Sequence, residues 1–262
     1  MKIHATAVVD PAAQLDADVE IGPYAVIGPK VIIGKNTVVQ SHVVLEGAVH
    51  IGAANLIGHG AVIGAQPQDR GFSAQTRSGV RIGNGNQIRE YCTVHRGASE
   101  GSETVIGGGN FLMVGAHLGH DCRVGNGVVI ANDCLLAGHV QIDDRVFVGG
   151  GSRFHQHIRV GRLAMVEGRF TKNLPPFVIA AKNEVFGMNV LGLRRAGLTP
   201  AERDDIKRAF KLLYKSGLNT RQALAESGTA GLGELGREFF AFVAEAGKRG
   251  IVSYSGSPEG ED

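Results

Sequence analysis

Tryptophan is absent from this chain, and only 6% of its residues are aromatic. A core packed from large rings is therefore excluded, and the interior must be filled by aliphatic side chains. Cysteine occurs three times, at Cys92, Cys122 and Cys134. That odd number, at these spacings, suits neither a disulfide framework nor a zinc site. The three read as buried thiols in a reducing compartment. No stretch approaches the roughly 20 apolar residues of a membrane-spanning helix, and Met1-Lys2-Ile3-His4-Ala5 has no apolar signal core. The formal net charge is only +2, so a global nucleic-acid signature is missing. These absences predict a cytoplasmic protein that does not span a membrane and has no nucleic-acid partner.

Glycine is what the chain has in excess: 39 of 262 residues, about twice the usual share. There is no Gly-X-Y period, which excludes collagen, and 43% hydrophobic content excludes general disorder. The glycines belong to a repeat. Counting in sixes from Ile3 gives Val9, Leu15, Ile21, Ile27, Ile33, Val39, Leu45, Ile51, Ile57 and Ile63. The phase breaks across Gln66–Val80, resumes with Ile82, Ile88 and Val94, and breaks again across Arg96–Thr104. From Ile106 it runs through Leu118, Ile130, Leu136 and Val148 to Val166.

A period of six fits neither a helix nor a long flat strand. It fits short strands joined by regular corners, with one aliphatic per hexad pointing inward. The frequent next residue (Gly22, Gly28, Gly34, Gly52, Gly58) would serve a corner that needs room or positive φ. Three hexads close a coil, and coils stacked about 4.8 Å apart make a solenoid. About eight coils give a prism roughly 40 Å tall on that spacing. The two breaks, at 66–80 and 96–104, read as loops leaving the prism, where functional residues concentrate.

Histidine is concentrated in the same region: His95, His117, His120, His139, His155 and His157. A stacked solenoid needs no imidazoles, and the inward positions are all apolar, so these histidines are expected outside the core. His139 and His157 are one coil apart, with His120 nearly in the same column. His120 beside Asp121 suits a general base whose tautomer is held by a carboxylate. Three histidines sharing a zinc ion between subunits fit the spacing equally well.

After Val166 the phase ends. Asn173-Leu174-Pro175-Pro176 predicts an extended exit, and a short helix closed by Gly197 should follow. Thr199-Pro200-Ala201-Glu202 is a capping box opening a helix to about Ser216. Further helices are expected over 220–226 and 232–248, with a polar frayed tail from Ser253. Arg203, Lys207, Arg208, Lys211, Lys215 and Arg221 form a basic set suited to an acidic partner or a phosphate-rich ligand. The expected division is a β-solenoid over 1–186 and a helical domain over 187–262.

Several motifs go beyond the repeat: Gln68-Asp69, His95-Arg96-Gly97, Ala116-His117-Leu118-Gly119-His120-Asp121-Cys122, Ala137-Gly138-His139, Phe154-His155-Gln156, Pro175-Pro176 and Asn189…Gly192-Leu193-Arg194-Arg195. Together, and in this order, they resemble the acyl-carrier-protein-dependent UDP-N-acetylglucosamine O-acyltransferases that begin lipid A synthesis in Gram-negative bacteria. The resemblance implies a mainly β fold: a left-handed parallel β-helix (a hexapeptide-repeat solenoid) with a C-terminal α-helical domain, assembled as a homotrimer with sites between subunits. It implies transfer of a 3-hydroxyacyl chain from acyl carrier protein to the sugar 3-hydroxyl, without cofactor or metal. His120 matches the general base, Asp121 its polarising partner, and Gly138 the oxyanion donor.

By the same resemblance Gln68, Asp69, His95, His117 and His139 surround the sugar. His155, Gln156, Asn189 and Arg195 surround the nucleotide and diphosphate. Gly168 matches the position that limits acyl-chain length, and the basic helices would dock acyl carrier protein. The chain departs from the family pattern at Gly71, where a lysine is usual, at Leu191, where some members carry Glu, and at Ala196, where a second Arg is found. These departures leave open a 3-amino sugar or another nucleotide sugar as acceptor. A zinc protein like the γ-type carbonic anhydrases, also left-handed β-helix trimers, is a further alternative.

Overall fold

The structure is a computed structural model and describes residues 1–256. Its architecture follows from the six-residue phase. Two-residue strands such as His117–Leu118, Arg123–Val124 and Val129–Ile130 follow one another around a triangle. Each pairs in parallel with the strand one coil further on: His117 lies opposite Leu135, Arg123 opposite Gln141 and Val129 opposite Phe147. Three sheets result, of 12, 9 and 8 strands. They are called here the first, second and third faces of the prism.

Within each strand one residue points in and the next points out. Leu118, Leu136, Ile130, Val148, Ile106 and Ile142 fill the interior and are essentially inaccessible. Ile3 keeps the phase but remains 44% exposed, because its strand is the end strand of the first face.

Of the two roles expected of the corner glycines, room and positive φ, these positions serve the first. Gly22, Gly34 and Gly58 do not carry positive φ. They are small because the next coil passes very close: a Cβ on Gly58 would sit 2.6 Å from the Arg89 carbonyl carbon, and one on Gly22 2.8 Å from that of Gln40. The left-handed residue comes two positions later and is often not glycine, as at Tyr24 (φ 58°), His42 (59°), Asp121 (60°), His139 (63°) and His157 (62°). Each such residue costs roughly 1–2 kcal/mol, a strain the stacked ladders on both sides hold in place.

The first loop occupies 66–78, between strands Val62–Ala65 and Gly79–Ile82. The second occupies 96–102, between Thr93–His95 and Glu103–Ile106. The strands therefore resume two residues earlier in each case than the broken phase indicated.

At the top of the prism the first face continues. Val178–Ala181 joins Met165–Glu167 in parallel and then pairs antiparallel with Glu184–Met188. The boundary expected at 186/187 falls inside this last strand, so the short helix begins later, as α1 over Val190–Arg195. Gly197 follows it with φ 83°. Helix α2 spans Pro200–Tyr214 and opens with the full capping box between Thr199 and Glu202. Helices α3 (Thr220–Ser227) and α4 (Glu234–Ala244) complete the unit. Ile206, Phe210, Phe239, Phe240 and Val243 meet in its interior.

Helix α4 is shorter than expected at both ends, and its start is fixed by a cap from another helix. Buried Asp205 on α2 accepts the backbone N–H groups of Gly233 (2.6 Å) and Gly236 (2.7 Å), satisfying orphan donors that Gly233 cannot cap itself. The expected frayed tail is ordered at its start. Ser253–Tyr254 pairs with Glu184–Val185, and the Tyr254 ring lies 5.7 Å from that of Phe210. The remainder of that tail, residues 257–262, lies outside the described residues.

Candidate active site

The second face carries the site. Outward residues in register on successive coils are Thr93, His117, Leu135 and Arg153. At the corner beside them, Asp121, His139 and His157 stand one coil apart, so the member of the column in strict register is Asp121, with His120 one residue before it. The rings stack upward: His120 meets His139 edge to face at 5.0 Å, and His139 lies flat on His157 at 4.5 Å.

His120 Nδ1 lies 2.8 Å from Asp121 Oδ2. Asp121 also accepts the Ala98 N–H at 3.0 Å, so the second loop clamps the carboxylate from the far side. Burial works against ionising Asp121, but hydrogen bonds from His120, Ser102 and Ala98 and the nearby His139 outweigh it and hold its pKa below the ordinary value. A carboxylate there accepts Nδ1–H and leaves His120 Nε2 as the free base. Gly138 supplies the floor: a Cβ at that position would fall 2.4 Å from His120 Nε2. Among the described residues the Gly138 N–H donates to no protein acceptor.

Gln68, His95, His117, His120, Gly138 and Gln156 line one cavity of about 290 Å³ with Leu135, Arg153 and Phe154. Asp69 stays outside it, exposed, with its carboxylate on the Gly71 N–H at 2.8 Å. His155 lies above, with its Nδ1 3.4 Å from Arg249 Nη1. Asn189 caps α1 by accepting the Gly192 N–H (3.0 Å) and donates to the Leu163 carbonyl (2.9 Å). Arg195 is exposed at the end of the same helix. Neither reaches the cavity of its own chain. Gly168 has φ 121°, so its backbone alone demands glycine. Its carbonyl accepts the Arg153 N–H at 2.8 Å, one coil above the cavity.

His95 lines this cavity outside the prism core and is nevertheless almost covered. It is only 8% exposed, packed edge-on against His117 at 5.1 Å beside the strand that leads into the first loop. Burial lowers its pKa, and the neighbouring His120 adds to this. His117 is pushed down to about 4, by burial first and then by His95, and its Nδ1 meets the Thr93 hydroxyl at 2.7 Å. Thr93, Leu135 and Arg153 were not singled out from the sequence. Stepping 18 residues from His117 finds Leu135 and then Arg153. Thr93 is hidden because the second loop lengthens its coil.

Among the described residues, the ligating atoms of His120, Asp121 and His139 come close enough together for a metal ion. His120 Nδ1 and Asp121 are already within hydrogen-bond distance of each other, so an ion would have to displace that pair.

Two family profiles match the chain. One, described as Udp N-acetylglucosamine O-acyltransferase; Domain 2, covers residues 174–252, and the other, Bacterial transferase hexapeptide (six repeats), covers 12–47 and 103–138. Coil, corner histidines and helical cap together define a hexapeptide-repeat acyltransferase. A protein named acyl-[acyl-carrier-protein]--UDP-N-acetylglucosamine O-acyltransferase from Paraburkholderia phytofirmans is 46% identical over 260 residues, 96% of this chain and 99% of that one. The solved UDP-N-acetylglucosamine acyltransferase of Francisella novicida superposes with a TM-score of 0.92 at 33% identity, covering 99% of this chain and 100% of that one. That of Bacteroides fragilis gives 0.91 at 35%, covering 95% and 99%. This chain belongs to the UDP-N-acetylglucosamine O-acyltransferase family, and its β-helix is left-handed, an exception to the right-handed rule for parallel crossovers.

Proposed function

We propose that the protein transfers a 3-hydroxyacyl chain from acyl carrier protein to the 3-oxygen of UDP-N-acetylglucosamine, the first step of lipid A synthesis, in the cytoplasm. The observation that carries this reading is the His120–Asp121 pair facing the unoccupied Gly138 N–H. His120 Nε2 takes the proton of the sugar hydroxyl as that oxygen attacks the thioester carbonyl. The Gly138 N–H receives the developing oxyanion. Collapse of the tetrahedral intermediate expels the carrier thiolate, which takes the proton back from His120. No cofactor or metal enters this balance.

Gln68, His95, His117 and His139 are positioned to hold the sugar. Leu135 and Phe154 give the cavity its apolar wall, and Gly168 one coil above leaves room for the acyl chain. Asp69, His155, Gln156, Asn189 and Arg195 complete the nucleotide-sugar site in a homotrimer. A neighbouring subunit brings in α1, whose Asn189 and Arg195 cannot reach their own cavity. An apolar column on the first face, Phe111, Val129, Phe147 and Met165, supports burial of that face against a second chain.

The basic helices face acyl carrier protein with fewer free charges than the sequence counted. Arg208 pairs with Asp205 at 3.0 Å, Arg203 donates to the Leu198 carbonyl, and Lys215 sits 5.3 Å over the Tyr254 ring. Lys207, Lys211 and Arg221 are exposed and carry the docking charge.

The test is mass spectrometry of products after incubation with 3-hydroxymyristoyl carrier protein and either UDP-N-acetylglucosamine or its 3-amino analogue, for wild type and His120→Ala. Acylated UDP-N-acetylglucosamine is expected, with rate reduced about 10²- to 10⁴-fold in the variant. Product from the 3-amino analogue alone would reassign the acceptor, and Gly71 would be the first residue to examine. An unimpaired variant would remove His120 as the base.

A further inference from the structure

A second cavity, of about 410 Å³, lies beneath the two loops and shares no lining residue with the site described above. Its size falls in the range of small-molecule pockets, roughly 300–1,000 Å³. Three cations line it, Lys30, Arg77 and Arg96, against one acid, Glu103. That acid is already occupied: Arg81 grips Glu103 through two bonds of 2.9 and 3.0 Å. Among the described residues, the side chains of Lys30, Arg77 and Arg96 make no ion pair and no hydrogen bond. Unpaired guanidinium groups gathered in one concavity are an arrangement suited to phosphate.

Two buried polar atoms point the same way. Ser78 lines the cavity, is only 8% exposed, and its Oγ has no hydrogen-bond partner. Arg96 Nε is likewise buried and unpartnered. An orphaned buried donor costs about 1–3 kcal/mol, and both sit on residues of the cavity wall with no protein acceptor among the described residues. The Arg96 guanidinium is also held in place. It stacks over the Phe72 ring at 5.2 Å, and Gly47 makes room for it, since a Cβ there would meet Nη1 at 2.9 Å.

We infer that this cavity is a binding site for a phosphate-bearing small molecule, distinct from the nucleotide-sugar site. Lys30, Arg77 and Arg96 neutralise the phosphoryl group, and the Ser78 hydroxyl donates to it. The second loop lies between the two sites: its Ala98 N–H holds Asp121, and its Ser102, which also steadies that carboxylate, lines this cavity. An occupant therefore rests against the same loop that clamps the catalytic carboxylate.

The experiment is calorimetric titration of the full-length protein with inorganic phosphate and, separately, glucose 1-phosphate. The readout is binding, so it stands whether or not the acyl-transfer reading holds. One equivalent per chain is expected, weakened about 10- to 100-fold in Lys30→Ala/Arg77→Ala. Equal affinity for the two probes would mean that the phosphoryl group alone is recognised, and tighter binding of the ester that the cavity also holds the sugar. Ser78→Ala keeps the fold and loses affinity. If that variant instead melts higher and binds as wild type does, the orphaned hydroxyl is only an internal defect and the inference falls. It also falls if neither probe binds at millimolar concentration, or if binding survives in Lys30→Ala/Arg77→Ala and disappears in Arg195→Ala.

Discussion

The first and third faces of the prism share one interior and differ outside. Inward, the first face presents Leu112, Ile130, Val148 and Val166, and the third Ile82, Ile106, Val124 and Ile142, all buried. Outward, the first reads Phe111, Val129, Phe147 and Met165, with Phe147 and Met165 each about 40% exposed. The third reads Arg81, Val105, Arg123, Gln141 and Arg159, and two of its three arginines are paired: Arg81 with Glu103 at 2.9 Å, and Arg159 with Asp143 at 2.9 Å and with Glu245 at 2.7 Å. Identical cores thus carry one face dressed for water and one apolar enough for another chain. In this repeat the inward position makes the fold, and the outward position decides what the fold meets.

Charging the apolar face should break this contrast most severely. Phe147→Asp with Met165→Asp is expected to release monomers and reduce transfer at least about 100-fold, because Asn189 and Arg195 no longer arrive from a neighbour. Reversing Arg123 on the third face should do neither. Sedimentation and a turnover assay on both proteins decide this, and an active monomer would contradict the shared site.

The next largest effect tests the common interior. Ile130→Ala should cost about 2–5 kcal/mol by denaturant unfolding, while truncating Val105 on the third face should stay within about 0.5 kcal/mol. Equal losses would mean that the two positions are not distinguished by burial.

The second face lies between these extremes, since it buries histidine. His117 is held near 4 in the folded chain against 6.5 ordinarily. The unfolded chain therefore binds the extra proton between those values, and stability falls as pH drops from about 6.5 to about 4. Asp121, with its pKa lowered, adds a loss of the same sign as pH falls through its folded value. His117→Asn should flatten the upper part of that slope in melting temperature against pH, and an unchanged slope would remove His117 as its source. A small effect is likewise expected on the third face: Arg81→Ala should shift stability by no more than about 1 kcal/mol.

Much of this was legible in residue order. Any local segment reports the hexad phase, because each coil repeats the same contacts with the coil before it. The capping box at Thr199 and Glu202 was legible too, since cap and partner are three residues apart. The corner chemistry was legible only in part, because room and positive φ fall on different residues. Glycine after each aliphatic marks the close passage of the next coil, whereas left-handed φ falls on Asp121, His139 and His157, residues with no intrinsic need for it. The α4 cap was invisible, because Asp205 reaches Gly233 across 28 residues. His95 is outside the core, as its phase indicates, and only neighbours distant in sequence cover it.

The sequence by itself determined the coil, its aliphatic interior, the two breaks and the histidine-rich stretch, because those depend on periodicity and composition along a single line. Only the tertiary structure decided that Asp121 stands in the column and His120 beside it, that Ala98 clamps the carboxylate, and that Asn189 and Arg195 face away from their own cavity. Those outcomes rest on contacts between coils, loops and helices, which form only when the chain is stacked.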